Sequence, residues 1–364
     1  MGRIGFFGCL TIFYFLFGNL SAQENNTLIW WNPAKSDIAT VAGQAWHDQL
    51  AGMYSRLPQR AENLVRTDVW NLSRNSAGLS LRFWSDASAI TVRYTVKGNI
   101  SMPHMPATGV SGVDLYAKTS DGEWSWYRGN YAFKDTIQYK FNNIDPKDSY
   151  HDRGREYQLY LPLYNEVEWL EIGIPDSAYL RPMPIRKEKP VVVYGTSIAQ
   201  GACASRPGMA WTSILERKLD RPLINLGFSG NGKLEKEVID LITEIDAKVY
   251  VLDCLPNLWA DKDRTLEEVA KLIKDGIYQI RKERPHNPIL LVDHAGYSDG
   301  PVDTIRYKSY IDLNRIMQEV FLELQSEGVL NLYLLTNEEL NLSMESFVDG
   351  THPTDLGMME YALA

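Results

Sequence analysis

Residues 191–201 read VVVYGTSIAQG. Three valines and a tyrosine run without a polar break into Gly195. Two small hydroxyl residues follow, and a second glycine closes the stretch at Gly201. A strand buried on both faces is a continuous apolar run, whereas a half-buried strand alternates. Residues 191–194 are of the first kind, so they predict a strand inside a parallel sheet, with Thr196 and Ser197 just beyond its carboxyl end. Two readings of Ser197 are open at this point: the turn that ends a strand, or a nucleophile held at the mouth of the sheet.

The rest of the C-terminal half repeats the pattern. PVVVYG leads to MAWTSILERKL (209–219), PLINLGF (222–228) to LEKEVIDLITEI (234–245), KVYVLDC (248–254) to TLEEVAKLIKDGIYQIRKERP (265–285), and PILLVDH (288–294) to a helical pattern across 304–326. LYLLT (332–336) follows, and a last helix begins after Pro353. Apolar runs alternating with amphipathic helices predict an α/β domain, a parallel sheet between helices. In such sheets ligands sit outside the carboxyl ends of the strands.

Those ends carry Gly195-Thr196-Ser197, Gly227-Phe228-Ser229-Gly230, Asp253-Cys254-Leu255-Pro256-Asn257, Asp293-His294 and Asp349-Gly350-Thr351-His352-Pro353. The set suits acyl transfer. A serine hydroxyl needs a base to take its proton, and His352 can serve. Asp349, three residues earlier, can bond the other ring nitrogen and fix its tautomer. The oxyanion of a tetrahedral intermediate needs donors placed in advance: the backbone N–H groups of Ser197 and Gly230 and the amide of Asn257. Each residue alone has an ordinary explanation as a cap or turn former; what carries the reading is their order at successive strand ends. Weaker substrate-binding candidates are His294, which closes the fourth strand, Arg206, on the loop after Ser197, and His104, in MPHMPATG (102–109), should that loop fold over the site.

Other constellations fail. A G-x-S-x-G elbow is excluded because Ala199 stands where its second glycine belongs. Gly195 to Gly201 lacks the middle glycine of G-x-G-x-x-G, and GFSGNG (227–232) lacks the Lys-Ser/Thr of a P-loop. Six scattered histidines form no metal-binding pattern, so neither metal nor cofactor is expected.

The N-terminal half has another texture. LSLRF (79–83) and ITVRYTV (90–96) alternate, and GVDLYAKT, WSWYRG, YQLYLPLY and VEWLEIGI continue in that style between turn signals. Many short strands from about Asn25 to Arg186 predict an all-β sandwich. Eight of the ten tryptophans fall here, and one or two of them can be sugar-stacking platforms. RPMPIRKEKP (181–190), rich in proline and charge, reads as the linker.

At the other extreme, Arg3 precedes an uncharged run from Ile4 to Leu20, followed by Leu20-Ser21-Ala22. This predicts a signal peptide cleaved near Ala22, and hence a periplasmic or extracellular protein with no membrane insertion afterwards. The expected layout is 1–22 signal peptide, 23–186 β-sandwich and 187–364 α/β domain. The net charge of −9, with no basic block, argues against nucleic acid, whose phosphates demand Lys and Arg.

The C-terminal half resembles an SGNH (GDSL-type) hydrolase, with Ser197 in YGTS, Gly230 in GFSG, Asn257 in CLPN, and Asp349 and His352 in DGTH. It departs from that pattern at Thr196, where Asp is usual, and in DCLPN, where GxND is usual. GVDLY (112–116) resembles the signature of a β-domain fused to some of these hydrolases. The resemblance implies a flavodoxin-like sheet behind a jelly-roll-like sandwich. It also implies an exported serine esterase resembling two-domain carbohydrate esterases that remove acetyl groups. A carbohydrate-binding protein with an inactive hydrolase domain, and an esterase or thioesterase for small acyl metabolites, are the alternatives. The family's sheet order brings the strand preceding Cys203 beside the strand ending at Cys254. A disulfide and two free thiols are both open there.

Overall fold

In the computed structural model, the structure describes residues 2, 27–148, 150–260 and 264–364. The expected signal peptide lies outside the described residues, apart from Gly2.

Five parallel strands form the C-terminal sheet: Val191–Gly195, Leu223–Gly227, Val249–Asp253, Ile289–Val292 and Leu332–Leu335. Their spatial order is second, first, third, fourth, fifth, with every pairing parallel. This is the flavodoxin-like order, whose switch point lies between the first and third strands. Ser197 follows one of those strands and Asn257 the other. Helices Trp211–Leu219, Lys236–Thr243, Leu266–Glu283, Thr304–Ser326 and Asp355–Leu363 cover the two faces. Helix Leu266–Glu283 starts at a capping box, with the Thr265 hydroxyl and Glu268 carboxylate each bonding the other's backbone N–H.

The N-terminal half folds into two antiparallel sheets. One orders strands 28–31, 167–175, 89–96, 137–142 and 130–132; the other orders 180–182, 80–85, 155–160, 114–118 and 124–127, with 41–42 also on 80–85. Alternating inward residues such as Leu81, Phe83, Ile90, Val92, Leu170 and Ile172 fill the space between them. The β reading of this half needs one correction. Residues 44–78 contain no strand; they hold a 3-10 turn, Gln59–Asn63, and a helix, Thr67–Ser73. The stretch leaves the sandwich and packs Trp46, Leu57, Ala61, Val65, Val69 and Trp70 into the core of the parallel sheet. The proline-rich segment also begins as structure, since Leu180–Pro182 is an edge strand paired with Phe83 to Ser85.

The two halves share buried polar contacts as well as apolar ones. Asp114, in the GVDLY stretch, accepts from Arg206 Nη1 (2.8 Å), the Gly208 N–H (2.8 Å) and Trp126 Nε1 (3.0 Å). Its motif position is explained by docking: one carboxylate ties the sandwich to the loop that follows the serine. Cys203 and Cys254 are both free and buried, which settles the disulfide question. Each thiol bonds a different carbonyl, that of His104 (3.4 Å) and that of Tyr194 (3.5 Å).

Candidate active site

The first strand ends at Gly195, and Thr196 caps the short helix Ser197–Gln200 by accepting from the Ile198 N–H (3.3 Å). Gly201 ends that helix at φ +106°, a left-handed conformation that costs glycine little. The glycines framing Ser197 therefore bracket one tight turn of helix. Ser197 is 7% exposed, with its Oγ 2.9 Å from His352 Nε2. As the first residue of a helix its N–H has no intrahelical acceptor and is available to a ligand.

His352 is held by its own turn. Its Nδ1 lies 2.7 Å from Asp349 Oδ2, while Asp349 Oδ1 accepts the N–H groups of Thr351 (3.1 Å) and His352 (2.8 Å). Burial pushes the Asp349 carboxyl up, but hydrogen bonds from the His352 ring and backbone outweigh it, and the net shift is downward. The carboxylate is thus charged where the ring needs a partner. Arg306 braces the turn from outside, donating to the Gly350 carbonyl (3.1 Å) and Thr351 Oγ1 (2.8 Å).

Asn257 and Gly230 face Ser197 across a cleft of about 410 Å³. The Asn257 Oδ1 accepts from the Gly232 N–H (3.1 Å), which fixes the amide and leaves Nδ2 as a donor with no acceptor among the described residues. Gly230 adopts φ +69°, and the space where a Cβ would stand is open. Two residues that sequence patterns do not reveal hold this loop. Gln200 accepts the Ser229 N–H (3.0 Å) and donates to Asn75 and to the Leu163 carbonyl. Arg56, from the sandwich half, donates to the carbonyls of Leu72, Asn75, Asn225 and Gly227, with Phe228 beneath its guanidinium. Trp259, Tyr297 and Arg306 complete the lining and were also not legible as site residues.

The three weaker candidates separate. His104 comes to the site: its ring stacks on that of His352 at 5.9 Å, carried there by the loop from the sandwich. Arg206 does not; it is engaged by Asp114 and by the Tyr116 hydroxyl (2.7 Å). His294 is 1% exposed and does not line the cleft. Its Nδ1 accepts from Gly296, and burial together with Arg306 lowers it to about 3, so it stays neutral. Cys203 Sγ, by contrast, lies close to the Asp349 and His352 donor atoms, the three falling within 4.8 Å of one another. Burial, reinforced by the Asp349 charge, raises its pKa to about 12. It is a thiol at neutral pH and no rival to the serine.

Asp253, at the end of the third strand, is fully buried and bonded by the Tyr361 hydroxyl (2.8 Å). Burial raises its pKa to about 7. An unfolded aspartate titrates near ~3.9, so the folded chain keeps this proton over a range where the unfolded chain has lost it. The contribution is complete below that range and lost as pH rises through about 7. Asp253→Asn is therefore expected to raise the thermal midpoint at pH 8 by an amount equivalent to ~1–4 kcal/mol, with the gain shrinking towards pH 4. Calorimetry at both pH values checks this; a gain that is the same at both would mean the carboxyl is not the cause.

Comparison with known proteins fits this geometry. Residues 188–364 match the GDSL-like lipase/acylhydrolase family, and residues 28–180 match the GxDLY family, the N-terminus of SGNH-hydrolase-type esterases. The crystal structure of a GDSL-like lipase from Bacteroides ovatus is 31% identical, covers 92% of this chain and 95% of its own, and superposes with a TM-score of 0.81. The salicylyl-acyltransferase SsfX3 from a tetracycline biosynthetic pathway is 18% identical over 92% and 95% of the two chains, with a TM-score of 0.69. A family two carbohydrate esterase from Cellvibrio japonicus is 9% identical over 93% and 95%, with a TM-score of 0.51. At such low identity these last two show a shared fold only. No protein of curated function matches the chain in sequence.

Proposed function

Because the chain belongs to the GDSL-like lipase/acylhydrolase family, we propose that it is an exported serine esterase that removes acetyl groups from carbohydrates through an acyl-enzyme. The observation that carries the reading is the relay from Ser197 Oγ to His352 Nε2 (2.9 Å) and from His352 Nδ1 to Asp349 (2.7 Å). Ser197 attacks the ester carbonyl while His352 takes its proton. The Ser197 and Gly230 N–H groups and Asn257 Nδ2 receive the oxyanion. His352 returns the proton to the leaving alcohol, then activates the water that releases acetate, with Asp349 holding the ring throughout. An intact relay counts against an inactive carbohydrate-binding domain.

The choice of substrate rests on the lining. Ser229, Asn257, Arg306, Thr351 and His352 line the cleft beside Ser197 together with Ile198, Pro256 and Tyr297, and Trp259 stands there 60% exposed. A sugar ring suits a cleft that sets aromatic faces, here Trp259 and Tyr297, among hydrogen-bonding side chains. In this reading residues 187–364 are the catalytic domain. The accessory domain, residues 23–186, also supplies His104 beside the catalytic ring.

Asn257→Ala is expected to lower kcat by roughly 10²–10³ with KM little changed, since the amide acts on the transition state. The assay is release of acetate from acetylated oligosaccharides, run beside short- and long-chain nitrophenyl esters. Faster turnover of the long-chain esters would overturn the carbohydrate assignment. Export rests on the uncharged run from Ile4 to Leu20; among the described residues no helix is long and apolar enough to cross a membrane. Mass spectrometry of the mature chain is expected to find a start near Gln23, and a chain retaining Met1 would contradict it.

A further inference from the structure

Of the ten tryptophans, two expose more than a third of their surface: Trp259 at the serine's cleft, and Trp126, 44% exposed, in a second cleft of about 460 Å³. The second cleft lies where residues 124–132, which pass from the edge of one sheet of the sandwich to the edge of the other, meet Ser205 and Arg206 of the other half. It shares no lining residue with the cleft at Ser197. Val113, Tyr139 and Phe141 are its buried apolar lining residues, and Trp126 and Tyr131 are its exposed aromatics, Tyr131 at 56%.

Both rings are held in place. Trp126 Nε1 donates to Asp114, and the Arg206 guanidinium lies 4.3 Å from the ring centroid. Tyr131 packs against Tyr139 at 5.3 Å and Phe133 at 5.6 Å. Fixed aromatic faces lose little conformational entropy when a ligand settles on them. The charges are unequal. Asp114 and Arg206 neutralise each other at 2.8 Å. Arg128 is exposed at the cleft and has no hydrogen-bond or ion-pair partner among the described residues. The cleft therefore carries one unmatched positive charge on a chain whose net charge is −9.

We propose that this cleft binds a uronate residue of a polysaccharide chain: a pyranose whose C–H faces stack on Trp126 and Tyr131 and whose carboxylate pairs with Arg128. Asn130, exposed on the same lining, supplies an amide for hydroxyl groups. The choice of a carbohydrate rests in part on the esterase reading above; the choice of an acidic sugar rests on Arg128. One loop joins the two clefts. Thr108 lines this one and bonds the Ser205 carbonyl (2.7 Å), while His104 in the same loop stacks on His352. A glycan held at one cleft thus lies against the segment that edges the other.

The test is calorimetric titration of the Ser197→Ala protein with unesterified oligogalacturonate, with a glucuronate-substituted xylo-oligosaccharide, and with a neutral xylo-oligosaccharide. Saturable binding of a uronate oligomer is expected. Arg128→Ala should weaken it roughly tenfold, the loss of one charge-assisted hydrogen bond, and leave neutral binding unchanged. Tyr131→Ala should weaken both, and Trp126→Phe keeps the stacking face should alanine there disturb the fold. Absence of saturable uronate binding, or uronate affinity unchanged in Arg128→Ala and Tyr131→Ala, would overturn the proposal. With Ser197 present, Arg128→Ala and Tyr131→Ala should hydrolyse nitrophenyl acetate at the wild-type rate. If no ester is hydrolysed by the wild type while uronate binding and its loss in the variants hold, the esterase reading fails and the second site stands.

Discussion

Ser197→Ala is expected to lower turnover of a chromogenic acetate ester by roughly 10⁴–10⁶-fold, and His352→Ala by a similar factor. The double variant should be no slower than either single one, because a nucleophile without its base and a base without its nucleophile are equally idle. Asp349→Asn should cost less. It leaves Ser197 and His352 at 2.9 Å and removes only the charge that holds Nδ1. Its structural share is separable: Asp349 Oδ1 also accepts two backbone N–H groups, and an asparagine oxygen can still do so. Steady-state kinetics on folded variants, verified by circular dichroism, read out all four. Losses in the serine and histidine variants that multiplied in the double variant would mean the two residues act separately.

Arg56→Met is expected to destabilise the protein by at least about 3 kcal/mol. Arg56 is buried to 1% exposure, and the described residues offer it no carboxylate. Burial pulls the guanidinium down to about 9, so it remains a cation at neutral pH. What compensates is four carbonyls, two from each half of the chain, and the face of Phe228. Methionine fills much of the volume and removes the cation's own desolvation cost, but strands acceptors that cost about 1–3 kcal/mol each when left unpaired. The net loss is smaller than their sum. The Gly227 carbonyl is among them, so the strand end leading to Gly230 should loosen too, lowering kcat as well as stability. Urea unfolding with an unchanged m-value and a lower midpoint is the expected signature. A wild-type midpoint would mean the clamp contributes nothing.

The catalytic half was legible because its physics is local. Continuous apolar runs are strands buried on both faces, and the carboxyl-end rule collects Ser197, Gly230, Asn257 and His352 around one cleft. The same rule points wrongly at His294, since it names a strand end and not the direction of a side chain. There the carbonyl is taken by Asn314 and Asn337 and the ring packs against Tyr297 and Tyr310. Residues 44–78 carried a usable signal: Leu57, Ala61, Val65 and Val69 recur every four positions, a helical spacing that a β reading overlooks. Arg56 and Gln200 carried none. Their partners are set by long-range packing, up to 171 residues away for Arg56 and 125 for Gln200. Arg206 failed for the same reason, because its partner Asp114 lies in the other half of the chain.

The central claim is that Ser197 is the nucleophile, and a mechanism-based label tests it most directly. A phosphonate ester that mimics the tetrahedral intermediate is incubated with the intact protein, and the adduct is located by peptide mass spectrometry. One adduct on Ser197, formed as activity is lost and absent from Ser197→Ala, is the predicted result. Loss of activity with the label on another residue, such as Cys203, or full activity in Ser197→Ala, would contradict it.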